Sequence, residues 1–389
     1  MEVSRRGFLK ITGATLAAGG IGLRSASAQA QPLKIQYAKE YTTICPYCAV
    51  GCSIIVSVRN GKVVNTEGDP DSPINKGALC TKGGSIYQMA VNKNRLDKPL
   101  YRAPYATEWK EVDWEWALEK IARNVKISRD KSFKVTNDKG EVVNRTEGIA
   151  SVGSAALDNE ELFVYQKFLR GLGLVYIEHQ ARLCHSSTVP ALAESFGRGA
   201  MTNHWIDIRN SDVILIMGSN PASNHPIAFK WITAAMEKGA KLICVDPRFT
   251  QSAAKAHIYA PLRSGTDIAF LGGMIKYILD NNLYFEDYVK NYTNATFLVN
   301  PDFKLPGDNN GVFSGLTDSK YDKATWSYQT DAGGSIRKDP TMQDPNCVLQ
   351  LLKKHYTRYT PETVSEITGT PADKLVEIYK LYGSTGKPD

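Results

Sequence analysis

What this 389-residue chain lacks narrows it first. Beyond residue 30 no apolar run is long enough to cross a bilayer core of about 30 Å, which excludes a bundle of membrane spans. The net charge of +7 comes without a Lys/Arg run or a basic–aromatic stripe, so nucleic acid is not an expected partner. No G-x-G-x-x-G opens a helix after a strand, and the nicotinamide dinucleotide fingerprint is therefore missing. No internal repeat is visible. The cysteines number seven, an odd count that a disulfide framework alone cannot use up. What is present is an ordinary globular composition, 42% hydrophobic and 22% charged, in a length that suits two or three domains.

The first thirty residues differ from the rest. "SRRGFLK" sets Arg5 and Arg6 before a short, Gly-rich apolar stretch, and "SASAQA" (25–30) offers small-residue cleavage sites. Residues 1–30 resemble a cleaved twin-arginine export signal, which implies a periplasmic protein exported folded and loaded with its cofactor.

Residues 31–102 read as a compact, turn-rich unit. "SIIVSV" and "KVVNTEG" flank Asn60-Gly61, the pattern of a β-hairpin. "KPLYRAPYATEWKEVDW" (98–114) reads as a linker into the helix "WEWALEKIARNVKISRD", and the polar segment 131–148 as a surface loop or hairpin. From 149 the pattern turns β/α. "IASVGSA" predicts a buried strand, and "DNEELFVYQKFLRGLG" a helix with Asp158 or Asn159 near its cap. "DVILIMG" (212–218) predicts a central parallel strand, "PIAFKWITAAMEKG" (226–239) a helix and "KLICVDP" (241–247) the next strand, which together make one βαβ unit. "DIAFLGGMIKYILDNN" predicts a further helix, 290–345 reads as a Gly-, Asn- and Asp-rich insertion, and the segment from Pro361 as two short helices.

Three constellations carry chemistry. The first is Cys45-x2-Cys48-x3-Cys52, followed after 27 intervening residues by Cys80. Four thiolates close a tetrahedral zinc site or grip a cubane cluster, and three close cysteines with one distant favour the cube. The second is "ARLCHSS", where Cys184 stands beside His185. By themselves these two are a nucleophile with its base, a metal ligand with a proton acceptor, or two unrelated core residues. The third is a set of strand-end loops, "MGSNPASNHP", "CVDPRFTQSA" and "LRSGTDIA". The first opens a helix whose N–H groups would cradle a pyrophosphate, and Asp246 would accept hydrogen bonds from a ribose or guanine.

"CPYCAVGC" with "EGDPDSPINKGALCTKG" resembles the N-terminal cluster domain of the molybdopterin-dependent oxidoreductases, and more narrowly the formate dehydrogenases. The resemblance implies a [4Fe–4S] cluster on Cys45, Cys48, Cys52 and Cys80, with Lys82 between cluster and pterin. It implies that Cys184 binds Mo or W and that His185 accepts a proton. A nitrate reductase of the same superfamily resembles "CM" rather than "CH" at these positions. The strand-end loops resemble those that bind a molybdopterin guanine dinucleotide, through Gly218, Asn220, Asp246, Arg248, Gly265 and Asp267. Cys244 and Cys347 fall outside any cluster spacing and read as structural.

The expected architecture is α/β. A small iron–sulfur domain with antiparallel strands (31–102) precedes a partial second α/β domain (103–148). A doubly wound, Rossmann-like pterin-binding domain (149–389) follows, carrying the insertion near 290–345. The resembled catalytic subunits are longer, so the second half of the family fold is expected to be missing here, the chain being split, truncated or frame-interrupted. The helix near 111–127 should then expose its apolar face. The resemblance implies formate as substrate, and as partners an iron–sulfur beta subunit and a membrane cytochrome b subunit; if the catalytic subunit is split, a separate chain carrying the C-terminal half joins them. The rival readings are a nitrate reductase-like sibling and a non-catalytic electron-transfer fragment that holds only the cluster.

Overall fold

Asn60 and Gly61 take φ values of 53° and 73°, two successive left-handed residues. Such a turn matches the twist of the strands it joins. It connects β2 (Ser53–Arg59) to β3 (Lys62–Gly68), and β1 (Lys39–Ile44) pairs antiparallel with β2 on the other side. These elements open a computed structural model that describes residues 33–385. The expected export signal lies outside the described residues. The β1–β2 loop carries three cysteines and closes through Cys45 N–H donating to the Cys52 carbonyl at 2.9 Å. The loop after β3 leads to α1 (Thr81–Gly84) and α2 (Ile86–Ala90). Asn75, fully buried, pins that loop by exchanging two 3.0 Å hydrogen bonds with the Ser53 backbone. Gly68 is required where the loop crosses back, since a Cβ there would lie 2.3 Å from the Gly77 carbonyl oxygen.

Residues 98–114 contain a short hairpin, β4 (Leu100–Tyr101) with β5 (Lys110–Glu111). Then come α3 (Trp114–Ser132), β6 (Phe133–Thr136), β7 (Val142–Val152), α4 (Asn159–Gly171) and β8 (Leu174–Glu178). The sheet order is β6-β7-β8, with β6 antiparallel and β8 parallel to β7. Asp158 caps α4, and its N–H donates to Glu161 Oε2 at 2.9 Å, one half of a capping box. Strand β7 runs across the position between 148 and 149 and pairs on both sides. The strand expected to be buried is half-open: Ser151 is buried but Val152 is 71% exposed. No residue of α3 is buried, and Leu118 and Ile121 are 58% and 59% exposed. Helices α5 (Gln180–Cys184) and α6 (Thr188–Phe196) follow β8.

The second sheet is parallel, in the order β11 (Ile258–Ala260), β10 (Lys241–Val245), β9 (Val213–Met217). The 212–218 strand is thus at the edge, and β10 is central. Side chains of β10 alternate between two cores. Ile243 and Val245 face Phe270, Leu375, Ile378 and Tyr379, from α9 (Asp267–Asp280) and α13 (Ala372–Gly383). Leu242 and Cys244 face Ile232 of α8 (Pro226–Glu237). Helices on both faces make the unit doubly wound. Four further helices belong to this region, α7 (Pro221–Asn224), α10 (Glu286–Tyr292), α11 (Val348–Tyr356) and α12 (Pro361–Thr368). The 290–345 insertion is largely irregular; it holds the end of α10, a small hairpin of β12 (Leu316–Thr317) with β13 (Lys320–Tyr321), and two short 3-10 turns at Pro306–Asp308 and Ala324–Trp326. Its own core places Leu298 and Met342 around Cys347.

Helix α8 also docks on the cysteine-rich unit. Trp231 Nε1 donates to the Ile74 carbonyl at 3.0 Å and Lys230 Nζ to the Asn75 carbonyl at 3.1 Å. Ile227 and Ala228 join Cys45, Cys52 and Ile54 in one apolar cluster.

Candidate functional site

Four cysteines from two loops line one pocket: Cys45, Cys48 and Cys52 from the β1–β2 loop, and Cys80 at the N-cap of α1. Pro226 and Ile227 of α8 close its wall. All four are free thiols. Burial raises the Cys45 thiol pKa, and burial followed by repulsion from Cys45, Cys48 and Cys80 pushes Cys52 up to about 12. Four thiolates here are stable only around a compensating cationic group. Among the described residues no three His, Cys, Asp or Glu side chains converge as ligands of a single ion. Four sulfurs spread around an apolar pocket fit a cube that takes one thiolate per corner.

Lys82 leaves α1 and crosses to the parallel-sheet unit, its Nζ donating to the Asn224 carbonyl at 3.1 Å. Next to Asn224 is His225, which sequence reasoning passed over. Burial, and then Lys82, lowers its pKa, and its Nδ1 is buried without a partner. A lone histidine in a loop carries no periodicity or spacing that would single it out.

The six strand-end residues gather at the carboxyl ends of β9, β10 and β11, the edge where open α/β sheets bind ligands. Gly218 takes φ 61° and Gly265 φ 83°. Asn220 braces two loops: its Oδ1 accepts from Ser252 N–H at 3.2 Å and Oγ at 2.9 Å, and its Nδ2 donates to Ser223 Oγ at 2.8 Å. Asp246 Oδ1 accepts from Arg248 N–H at 2.8 Å, leaving the Arg248 side chain exposed. Asp267 stands in the first turn of α9. The expected pyrophosphate cradle is altered. The helix opened by "NPASN" is only α7, proline starts both α7 and α8, and Ala222 N–H is taken by Ser252 Oγ at 3.1 Å.

Cys184 ends α5, with His185 at its C-cap, and both are exposed. Among the described residues no hydrogen bond joins their side chains to the cysteine pocket or the strand-end loops. Their helix is firmly anchored. His179 Nδ1 accepts from Ala181 N–H at 3.0 Å and its Nε2 meets the Ser154 carbonyl at 2.9 Å, a pair that requires the neutral Nε2–H tautomer. Cys244 and Cys347 are fully buried in separate cores.

Two family profiles match in tandem: "Molybdopterin oxidoreductase Fe4S4 domain" over residues 38–92 and "Molybdopterin oxidoreductase" over 95–286. The chain belongs to the molybdopterin oxidoreductases. Its four-cysteine pocket is the Fe4S4 domain, and the α/β region beyond is the molybdopterin oxidoreductase domain, a pairing that fits a [4Fe–4S] cluster and a Mo/W–pterin. The chain is 54% identical to formate dehydrogenase subunit alpha of Megalodesulfovibrio gigas and 51% to formate dehydrogenase 2 subunit alpha (cytochrome c-553) of Nitratidesulfovibrio vulgaris. Both alignments cover 100% of this chain and 39% of the relative. The nitrate-inducible formate dehydrogenase major subunit of Escherichia coli is 43% identical. The chain is a homologue of formate dehydrogenase catalytic subunits that spans about two-fifths of their length. Acetylene hydratase from Pelobacter acetylenicus shares the fold, with a TM-score of 0.62 over 90% of this chain and 39% of that one, at 21% identity.

Proposed function

We propose that the chain is the N-terminal part of a periplasmic formate dehydrogenase catalytic subunit, which oxidises formate to CO2 with release of two electrons and one proton. The observation that carries this reading is Lys82, rooted beside the four cysteines and hydrogen-bonded at 3.1 Å to the loop that follows β9. When bound, the Mo or W pterin centre supplies a two-electron acceptor and the [4Fe–4S] cluster a one-electron carrier. Cys45, Cys48, Cys52 and Cys80 would hold the cluster. Cys184 would give the metal a soft thiolate, and His185 would hold the proton lost by formate. Lys82 would stand between the two cofactors. Gly218, Gly265, Asp246, Arg248 and Asp267 would wall the guanine dinucleotide, with Asn220 bracing their loops. The expected partners are an iron–sulfur beta subunit and a membrane cytochrome b subunit. The cytochrome named with the N. vulgaris relative supports a haem protein as electron acceptor.

In the completed assembly, Cys184→Ser should abolish formate-dependent viologen reduction while leaving about four iron atoms per chain. Unchanged turnover would overturn the assignment, and turnover of nitrate instead of formate would favour the nitrate reductase-like sibling. The exposure of Cys184 and His185 favours a second reading, in which this chain alone holds the cluster and transfers electrons. Iron without Mo, W or guanine nucleotide in the purified chain would support it.

A further inference from the structure

His225 lies where the two halves of the proposed site meet. The residue before it accepts the Lys82 ammonium, and the two after it, Pro226 and Ile227, line the cysteine pocket. Trp205 flanks the imidazole with ring centroids 6.4 Å apart. The Nδ1 of His225 is buried with no hydrogen-bond partner, and it is the only ring nitrogen in that state among the described residues. A dry, unpaired imidazole nitrogen is costly, and native proteins supply such atoms with a partner. Burial, and then Lys82, lowers the pKa of the ring, which favours the neutral form with one N–H and one lone pair. A cluster presents only sulfur acceptors, whereas the edge of a pterin alternates donors and acceptors and meets either tautomer.

We propose that His225 is a cofactor-binding residue whose Nδ1 hydrogen-bonds the pterin group seated against Lys82. An imidazole and an ammonium, both fixed on residues 224–226, then hold the pterin to the wall of the cysteine pocket. The assignment rests on the pterin reading of the strand-end loops.

The test counts guanine nucleotide released by acid, per four irons, from the purified 389-residue chain before and after dialysis. His225→Leu should retain the nucleotide about tenfold more weakly, the factor that corresponds to roughly 1.4 kcal/mol, with iron content and the reduced-cluster EPR signal unchanged. His225→Asn sets an amide where Nδ1 stood and should restore retention. His225→Gln sets its amide where Nε2 stood and should not. If the Leu variant also loses iron, the Asn and Gln pair decides. Wild-type retention in His225→Leu, or rescue by Gln and not Asn, overturns the assignment. A wild-type chain with iron but no guanine nucleotide overturns the reading of the loops, and this assignment with it.

Discussion

Lys82 shows how much one side chain does here. Its ammonium ties the cysteine-rich unit to the parallel-sheet unit through Asn224 and adds a positive charge next to four thiols. That charge favours the reduced, more negative cluster. Replacing Lys82 by Met should therefore lower the midpoint potential on the order of tens of millivolts, for an effective dielectric constant of about 20. An EPR-monitored redox titration of the chain reads the shift, and an unchanged potential would place the ammonium too far away to matter. At this scale the sequence was legible where spacing speaks. The four cysteines and Lys82 stand within 38 residues, and the fold brings the four cysteines to one pocket. His225 was not legible, because its meaning comes from burial and from a partner 143 positions away. Asn220 was legible as a loop residue, but its work as a brace depends on Ser252 folding back onto it.

Among the elements, helices α8, α9 and α13 form where local periodicity predicts them. Helix α13 also carries a group that couples the fold to pH. Tyr379 is fully buried, donates to the Phe270 carbonyl at 2.8 Å, and has its phenol pushed above the usual range of about 10 by burial. A raised folded-state pKa means the stabilisation is complete below the unfolded value near 10 and is lost as pH rises beyond it. Tyr379→Phe should cost about 1 kcal/mol near neutrality and flatten the loss of stability above pH 10. Denaturant unfolding at two pH values measures both effects, and an equal alkaline loss in the variant would point to another group. The strands were read less well. The ends of β7 and the edge position of β9 depend on which neighbours pair with them, and that information is not local.

For the whole molecule, an open apolar groove runs between α3 and α4. Leu118, Ile121 and Phe168 are all exposed along it. Apolar surface of this kind drives association. The isolated chain should self-associate at micromolar concentration, and Leu118→Lys with Ile121→Glu should return it to monomer without changing its iron content. Light scattering after size exclusion decides, and a wild-type monomer would show that the groove is not adhesive. The cysteine-rich unit should be indifferent to this change, since its contacts run through α8.

The sequence by itself determined the parts that depend on near neighbours. These are the Asn60-Gly61 hairpin, the helical segments, the central apolar strand at 241–245 and the cysteine spacing that selects a cluster. Each is set by interactions within a few residues, or by a spacing that the chain carries wherever it folds. Only the tertiary structure decided that Lys82 reaches Asn224, that His225 loses water on Nδ1 without gaining a partner, and that Cys184 and His185 face outward. Burial and long-range contact arise when distant segments exclude water together, and no single segment contains that information.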